Sequence, residues 1–125
     1  MAQATVAILI PQATYVGSNP LSIVGDKKQA AAYYLANRDL QTVIWNLGSN
    51  INGNTPVYFV GNITIQASLA TSPGAFDWFD VYSVPVASTP TGQSGYYNLV
   101  GNYVWLRAVV TQWTAGPIMS IAASY

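Results

Sequence analysis

One short stretch of this 125-residue sequence invites a catalytic interpretation, because Asp77 and Asp80 flank Trp78 in a chain with only four carboxylate side chains. A glycosidase needs two carboxyl groups that face the same bond, one of them with a raised pKa. Residues three apart in a β-strand point to opposite faces, so this pair is not expected to share a substrate. We therefore expect Asp77 to cap a turn, Asp80 to pair with Arg107 or Arg38, and Trp78 to fill the core.

The remaining inventory of reactive side chains is small. The sequence contains no histidine, cysteine or glutamate, which removes the commonest general bases and the usual ligands of transition metals. Calcium could use loop oxygens near Asp26 and Asp39, but the spacing typical of a calcium loop is absent. We predict no enzymatic activity, no cofactor, and no catalytic, cofactor-binding or metal site.

The composition favours a protein that packs against other proteins. Only 6% of the residues are charged and the net charge is zero, whereas 51% are hydrophobic. Neutral surfaces promote association, and nucleic-acid binding requires a basic surface that this chain does not have. We also expect no targeting segment and no membrane partner, because no apolar run approaches the length of a transmembrane helix.

Apolar residues recur with a period of two, which is typical of β-strands. Turn residues such as Ser72-Pro-Gly74 and Gly101-Asn102 separate these runs, as expected for short antiparallel strands. The pattern predicts an all-β fold, an antiparallel β-sandwich with a jelly-roll-like arrangement. The aligned apolar residues are Val6, Ile8 and Ile10; Val43, Trp45 and Leu47; Ile63, Ile65, Ala67 and Leu69; Trp78, Tyr82 and Val84; Val104, Leu106, Ala108 and Val110; and Met119, Ile121 and Ala123.

The segment from Asp26 to Asp39 is compatible with two structures. Its alanine run favours a helix with Asp26 as the N-cap. The alternative is a hairpin in which residues 29–36 pair with Leu40–Leu47 across an Asn37-Arg38-Asp39 turn. We prefer the hairpin, since the surrounding pattern is that of strands.

The chain is predicted to form a single domain over residues 1–125, of which residues 1–15 could be an extended arm that contacts neighbouring subunits. Tyr103, Trp105 and Arg107 alternate with the aliphatic face of their strand, so they form either a second buried layer or an interface. Aromatic and arginine side chains are favoured at protein interfaces. The predicted interface residues are Tyr103, Trp105, Arg107, Tyr15, Tyr96 and Tyr97.

Two long blocks resemble structural proteins of tailed bacteriophages, especially those that infect cyanobacteria. The stretch "NITIQASLATSPGAFDWFDVYSV" is similar to an I-x-I-Q-A-S-L-A…P…D-W-F-x-V block of that group. The stretch "GNYVWLRAVVTQWTAGPIMSIAASY" is similar to its C-terminal block G-N-F-V-W-I-R-A-x-V-T-x-F-T-x-G-x-I…S-Y. A third stretch, "AAYYLANRDLQTV", resembles a hairpin of the group but departs from it at Ala32 and Leu35. The matching residues of the two long blocks are Ile63, Ile65–Ala70, Pro73, Asp77–Phe79, Val81, Gly101, Asn102, Val104, Trp105, Arg107, Ala108, Val110, Thr111, Thr114, Gly116, Ile118, Ser124 and Tyr125.

The resemblance covers about residues 30–125 and implies a virion component with a β-sandwich or jelly-roll-like fold and no catalytic residues. Together with the composition, it leads us to expect a capsid decoration (cement) protein on the capsid exterior. Its partners would be the major capsid protein and further copies of itself, as a homotrimer. Two alternatives stay open. The first is a structural adaptor in the tail, neck or baseplate, and the second is a glycan-binding module on the virion.

Overall fold

The computed structural model describes residues 6–14, 21–32, 39–47, 49–52, 55–85 and 94–125. These residues form β-strands and connections, and two antiparallel sheets pack against each other, which confirms the predicted β-sandwich. Among them no helix is long and apolar enough to cross a membrane. The strands are β1 (Val6–Ile10), β2 (Ala13–Thr14), β3 (Leu21–Val24), β4 (Lys28–Gln29), β5 (Leu40–Asn46), β6 (Ser49–Asn52), β7 (Thr55–Tyr58), β8 (Val60–Ser68), β9 (Phe79–Val84), β10 (Ser94–Val100), β11 (Trp105–Ala115), β12 (Pro117–Ile118) and β13 (Ser120–Ser124).

The first sheet, called here the front sheet, has four strands in the order β1-β13-β5-β10. The second, the back sheet, has the order β3-β11-β8-β9, and β4 also pairs with β11. Two small ribbons, β2–β12 and β6–β7, complete the described pairings. Sequential strands therefore change sheet repeatedly, which places residues distant in sequence side by side.

The core lies between the two sheets and follows the predicted alternation. In β5, Val43 and Trp45 are buried while Ile44 between them is exposed. In β8 and β11 the central inward residues are inaccessible to solvent, since strands direct alternate side chains to opposite faces. The core contributed by these three strands and Leu47 consists of Val43, Trp45, Leu47, Ile63, Ile65, Ala67, Leu106, Ala108, Val110 and Trp113.

The predicted inward face of β1 is wrong because the strand contains a β-bulge. Val6 and Ile8 are exposed, whereas Leu9 and Ile10 are buried. The register shift lies between Ile8 and Ile10, and Ile10 pairs with the inward residue Ile121. A bulge adds one residue to one strand, so it reverses the facing of everything beyond it.

Two other residues also depart from the predicted alternation. Leu69, one residue beyond the end of β8, is exposed, and Met119 is exposed in the break between β12 and β13. Both lie where the strand period stops, so neither continues the inward phase of its neighbours.

The predicted hairpin between residues 29–36 and Leu40–Leu47 is also wrong. Strand β5 pairs with β13 on one side and with β10 on the other, which leaves no side for a third strand. The second predicted arm does form β5, but residues 28–29 pair with β11 instead. Residues 33–38, including Arg38 and most of the expected turn, lie outside the described residues.

The preceding segment is held next to β5 by a buried side chain that sequence patterns did not single out. Gln41 is fully buried, and its amide oxygen accepts a hydrogen bond from the backbone N–H of Ala31 at 3.2 Å. Its amide nitrogen donates to the carbonyl of Leu99 at 2.8 Å and lies 3.3 Å from that of Gly101. One side chain thus joins the segment before β5 to the end of β10.

The expected N-terminal arm is only partly within the described residues. Residues 6–10 form an edge strand of the front sheet and residues 13–14 pair with β12, so this part belongs to the chain's own fold. Residues 1–5 and 15 lie outside the described residues. Contact of this segment with a neighbouring subunit stays a prediction.

Candidate interaction surfaces

The two aspartates around Trp78 do not converge on a common point. Asp77 lies in the turn before β9, where its Oδ2 accepts a hydrogen bond of 2.7 Å from the backbone N–H of Gly74. The N–H of Asp77 donates back to the carbonyl of Gly74 at 3.3 Å. This reciprocal pair fixes the turn, as expected of a capping aspartate. Asp80 instead lies within β9 and bonds the neighbouring strand, so the arrangement serves the scaffold.

Asp80 reaches Arg107 through an intermediate side chain rather than by direct pairing. Gln66 donates from Nε2 to Asp80 Oδ1 at 2.9 Å, and its Oε1 accepts from Arg107 Nε at 2.8 Å. The three residues lie side by side on β9, β8 and β11, on the outer face of the back sheet. The predicted association of Asp80 with Arg107 is therefore present, but as a three-membered chain.

The expectation that Trp78 fills the core is wrong. Trp78 is half-buried outside the sandwich, and the guanidinium carbon of Arg107 lies 4.2 Å from the centroid of its ring. A register shift in β9 explains this placement, because Ile65 pairs with Tyr82 whereas Gln66 pairs with Asp80, which leaves Val81 without a partner of its own. The extra residue turns Asp80 outward although Tyr82 two positions later faces the core.

Tyr103, Trp105 and Arg107 do not form one continuous interface. Tyr103 packs partly buried against the core, with its ring 6.1 Å from that of Phe79. Trp105 lies on the outer face of the back sheet, where its Nε1 donates to the carbonyl of Thr71 at 3.2 Å. Lys27 lies over its ring, 4.9 Å from the centroid. These three side chains are thus occupied by contacts within the chain.

A groove of about 340 Å³ separates the loop around Lys27 from the turn before β9, and Trp78 and Arg107 contribute to its wall. The ring of Trp78 has a cation over one face, as does that of Trp105. Sugar binding requires a free aromatic face on which a ring can stack. The face of each outer tryptophan that carries the cation is therefore not open to a stacking sugar ring.

Tyr96 and Tyr97 are neighbours in β10, the edge strand of the front sheet, and point to opposite sides. Tyr96 is on the outer face and is 69% exposed. Tyr97 pairs with the inward residue Val43 and stacks on Tyr82, with 4.0 Å between ring centroids. Tyr15, the remaining predicted interface residue, lies outside the described residues.

The outer face of the front sheet carries a row of apolar side chains that crosses all four strands. Ile8, Ala122, Ile44 and Tyr96 are paired in succession from β1 to β10. Ile8 and Ile44 are more than two-fifths exposed, and the small residue Ala122 between them is buried. The adjacent row is Val6, Ser124, Thr42 and Asn98, the opposite one is Ser120, Asn46 and Ser94, and Leu40 pairs with Val100 at the end of β5 and β10.

No charged side chain occurs on this outer front face among the residues that the structure describes. The described charges lie elsewhere. Asp80 and Arg107 are on the back sheet, Asp77 is in the turn that adjoins it, and Lys27 covers Trp105. Asp39 is the residue before β5, and Asp26 and Lys28 line a pocket at the edge of β1. The molecule therefore has an uncharged face and a face that carries charge.

Sequence reasoning missed this front face because it followed only the inward phase of each strand. Leu40, Ile44 and Val100 occupy the outward phase of β5 and β10, where polar residues are the norm. Large apolar residues in that phase were the available signal. No sequence pattern could have placed Ile8 on the outer face, because the β-bulge in β1 has no sequence signature here.

The described residues contain no group of three or more carboxylate, histidine or cysteine side chains that could hold a metal ion. Comparisons with protein-family models, with curated proteins and with solved structures found no match to this chain. The geometry of its own surfaces is therefore the basis for assigning a function.

Proposed function

We propose that this chain is a non-enzymatic structural protein of a bacteriophage virion, and most concretely a capsid decoration protein that docks on the shell through the outer face of its front sheet. The observation that carries the proposal is the uncharged face built around the row Ile8–Ala122–Ile44–Tyr96. Contiguous exposed apolar surface marks sites of protein interaction, and interface centres are depleted of charge. The resemblance of the two long sequence blocks supplies the virion context.

Such a protein would stabilise the shell by mass action. Binding to the assembled lattice, and not to dissociated subunits, shifts the equilibrium toward the intact particle. Decoration proteins of this kind would occupy symmetry axes as closed oligomers, and the trimer expected from the sequence is one such form. The partner surface would be the exterior of the major capsid protein.

The first test is the copy number of the chain in purified virions, measured by quantitative mass spectrometry against the major capsid protein. A ratio near a simple fraction or multiple of one is expected for a shell protein. A ratio far below it would overturn the decoration role and favour the adaptor in the tail, neck or baseplate. Absence from purified particles would overturn the virion proposal itself.

The second test addresses the docking face with a matched pair of variants. Ile44→Asp places a charge in the apolar row of the front sheet, whereas Val24→Asp places the same charge on the back sheet, at a residue that is 59% exposed. We expect Ile44→Asp to lose at least ~10-fold in affinity for particles stripped of the protein, and Val24→Asp to bind as wild type. Equal binding by both variants would exclude the front face, and loss of binding by Val24→Asp alone would move the contact to the back sheet.

The glycan-binding alternative is tested on the isolated protein. Wild type, Trp105→Ala and Trp78→Ala are applied to a glycan array. Binding by wild type that is lost in either variant would support the glycan-binding alternative. We expect no binding, because a cation lies over one face of each of these indoles.

A further inference from the structure

The edge of the front sheet formed by β10 has features that natural edge strands usually avoid. β10 runs from Ser94 to Val100 without a register shift in its pairing with β5, and it contains no charged residue and no proline. No described residue pairs with its other side. Exposed edges are normally blunted by charges, prolines or bulges because they offer free hydrogen-bonding groups to another strand.

The backbone pattern shows which residues face that open side. The N–H of Gly101 donates to the carbonyl of Asp39 at 2.7 Å, and these two residues continue the β10–β5 register by one step. In an antiparallel pair the bonded residues alternate, so Gly95, Tyr97 and Leu99 bond to β5. The N–H and C=O groups of the alternate residues, Ser94, Tyr96, Asn98 and Val100, are directed to the open edge.

This arrangement is complementary to itself about a two-fold axis. If a second copy pairs antiparallel with Tyr97 opposite its own counterpart, Tyr96 lies opposite Asn98 of the second copy and Ser94 opposite Val100. Every outward-directed residue then meets another, which gives about eight hydrogen bonds, the largest number available to this strand. Registers centred on Tyr96 or Asn98 overlap less and form fewer bonds.

Side chains on the inner side of the edge also suit this register. Gly95, which has no side chain, would lie opposite Leu99 of the second copy. The two Tyr97 side chains would meet at a non-hydrogen-bonded position, where opposing residues approach most closely, and each is already stacked on Tyr82. Tyr97, 43% exposed in the single chain, would become buried there.

We propose that two copies of this chain associate through β10 in an antiparallel, two-fold pairing centred on Tyr97, which makes one continuous eight-stranded front sheet. The axis is perpendicular to the sheet, so both outer front faces point in the same direction. The pair thus presents a single uncharged surface. This two-fold contact is an alternative to the homotrimer expected from the sequence, and it does not depend on the virion role.

The test uses two double variants that differ in one residue. Tyr96→Lys with Asn98→Lys places lysines opposite each other at both positions of the proposed register. Tyr96→Lys with Asn98→Asp places a lysine opposite an aspartate at both positions. Both side chains are on the exposed face, and circular dichroism with thermal melting checks that each variant folds.

The mass of each protein is measured by light scattering and sedimentation over concentrations on the order of 1–100 μM. Wild type and the lysine–aspartate variant are expected to be dimers, and the lysine–lysine variant a monomer, with at least ~10-fold weaker association. A monomeric wild type, or a trimer whose mass neither variant changes, would overturn the proposal. Dissociation of both variants would show that the register is wrong and would overturn it as stated.

Hydrogen exchange followed by NMR provides an independent readout that a merely folded chain would not give. In wild type at high concentration the amides of Tyr96 and Asn98 are expected to be protected, and their protection should fall on dilution. The amides of Tyr97 and Leu99, which bond to β5, should remain protected throughout. Equal, concentration-independent exchange at Tyr96 and Asn98 would contradict the pairing.

Discussion

The rings of Tyr82 and Tyr97 stack with 4.0 Å between centroids and 11° between their planes, and so connect the edge strand of the back sheet with the edge strand of the front sheet. Trp45 lies behind this stack, 5.9 Å from Tyr82. The sequence does not predict this contact, because β9 and β10 follow each other along the chain but belong to different sheets. The aromatic cluster lies on the side of the sandwich where no described strand pairs with the outer edge of β10.

Ionisation of Tyr82 should couple the stability of this cluster to alkaline pH. Burial, with a further contribution from Tyr97, raises the pKa of the Tyr82 hydroxyl above its ordinary value. The folded state therefore retains this proton at a pH where the unfolded chain loses it. The contribution is fully present below about pH 10 and is lost as the pH rises beyond it.

Tyr82→Phe keeps the ring and removes the ionisable group, so we expect the free energy of unfolding to decline less steeply above about pH 10 than in wild type. Urea unfolding at a series of pH values measures this slope. Identical slopes for Tyr82→Phe and wild type would contradict the assignment.

Gly95 is required by the close approach of Trp45. A Cβ at this position would lie 2.7 Å from Cζ2 of the buried Trp45 ring, and no large movement of that ring is possible in the packed core. Gly95→Ala is expected to cost about 1–3 kcal/mol, the usual range for overpacking. Gly74→Ala is the matched control, because the nearest atom to its Cβ is 3.5 Å away. Chemical denaturation of both variants measures the difference, and equal stabilities would contradict the packing argument.

The sequence was sufficient for the fold class because strict alternation in β5, β8 and β11 reports directly which side chains face inward. It failed at β1 and β9, where one extra residue reverses the facing and leaves no trace in composition. It also failed for the partner of β5, since an alternating strand does not encode which neighbour it will pair with. Strand partners are set by the packing of the whole sandwich, and the β10 edge could be recognised only after those partners were known.

The chain Asp80–Gln66–Arg107 should contribute through geometry rather than charge alone. Arg107→Lys keeps the positive charge but removes the Nε–H donor to Gln66 and the planar group over Trp78. We expect a loss of about 1 kcal/mol, since lysine cannot reproduce a stacked guanidinium. A double-mutant cycle with Gln66→Ala should give a coupling of about 0.5–1 kcal/mol, measured by denaturant unfolding. Additive effects would show that the hydrogen bond makes no net contribution.

The buried side chain of Gln41 allows a direct test of the hydrogen bonds that join the segment before β5 to the end of β10. Its amide nitrogen faces the carbonyl oxygens of Leu99 and Gly101, so a carboxylate in its place would meet acceptors without a donor. Gln41→Glu should cost about 3 kcal/mol or more at pH 7, the scale for a buried, uncompensated charge.

Burial and these carbonyls would raise the pKa of the introduced carboxyl in the folded state. The variant should therefore be most stable below about pH 4, and its stability should fall as the pH rises above the unfolded value. Thermal melts from about pH 3 to about pH 8, a range that extends from below to well above the ordinary pKa of glutamate, measure this trend. Gln29→Glu is the matched control at an exposed residue and should show no such decline. A Gln41→Glu variant as stable as wild type at neutral pH would mean that the amide nitrogen of Gln41 does not bond the carbonyl oxygens at the end of β10.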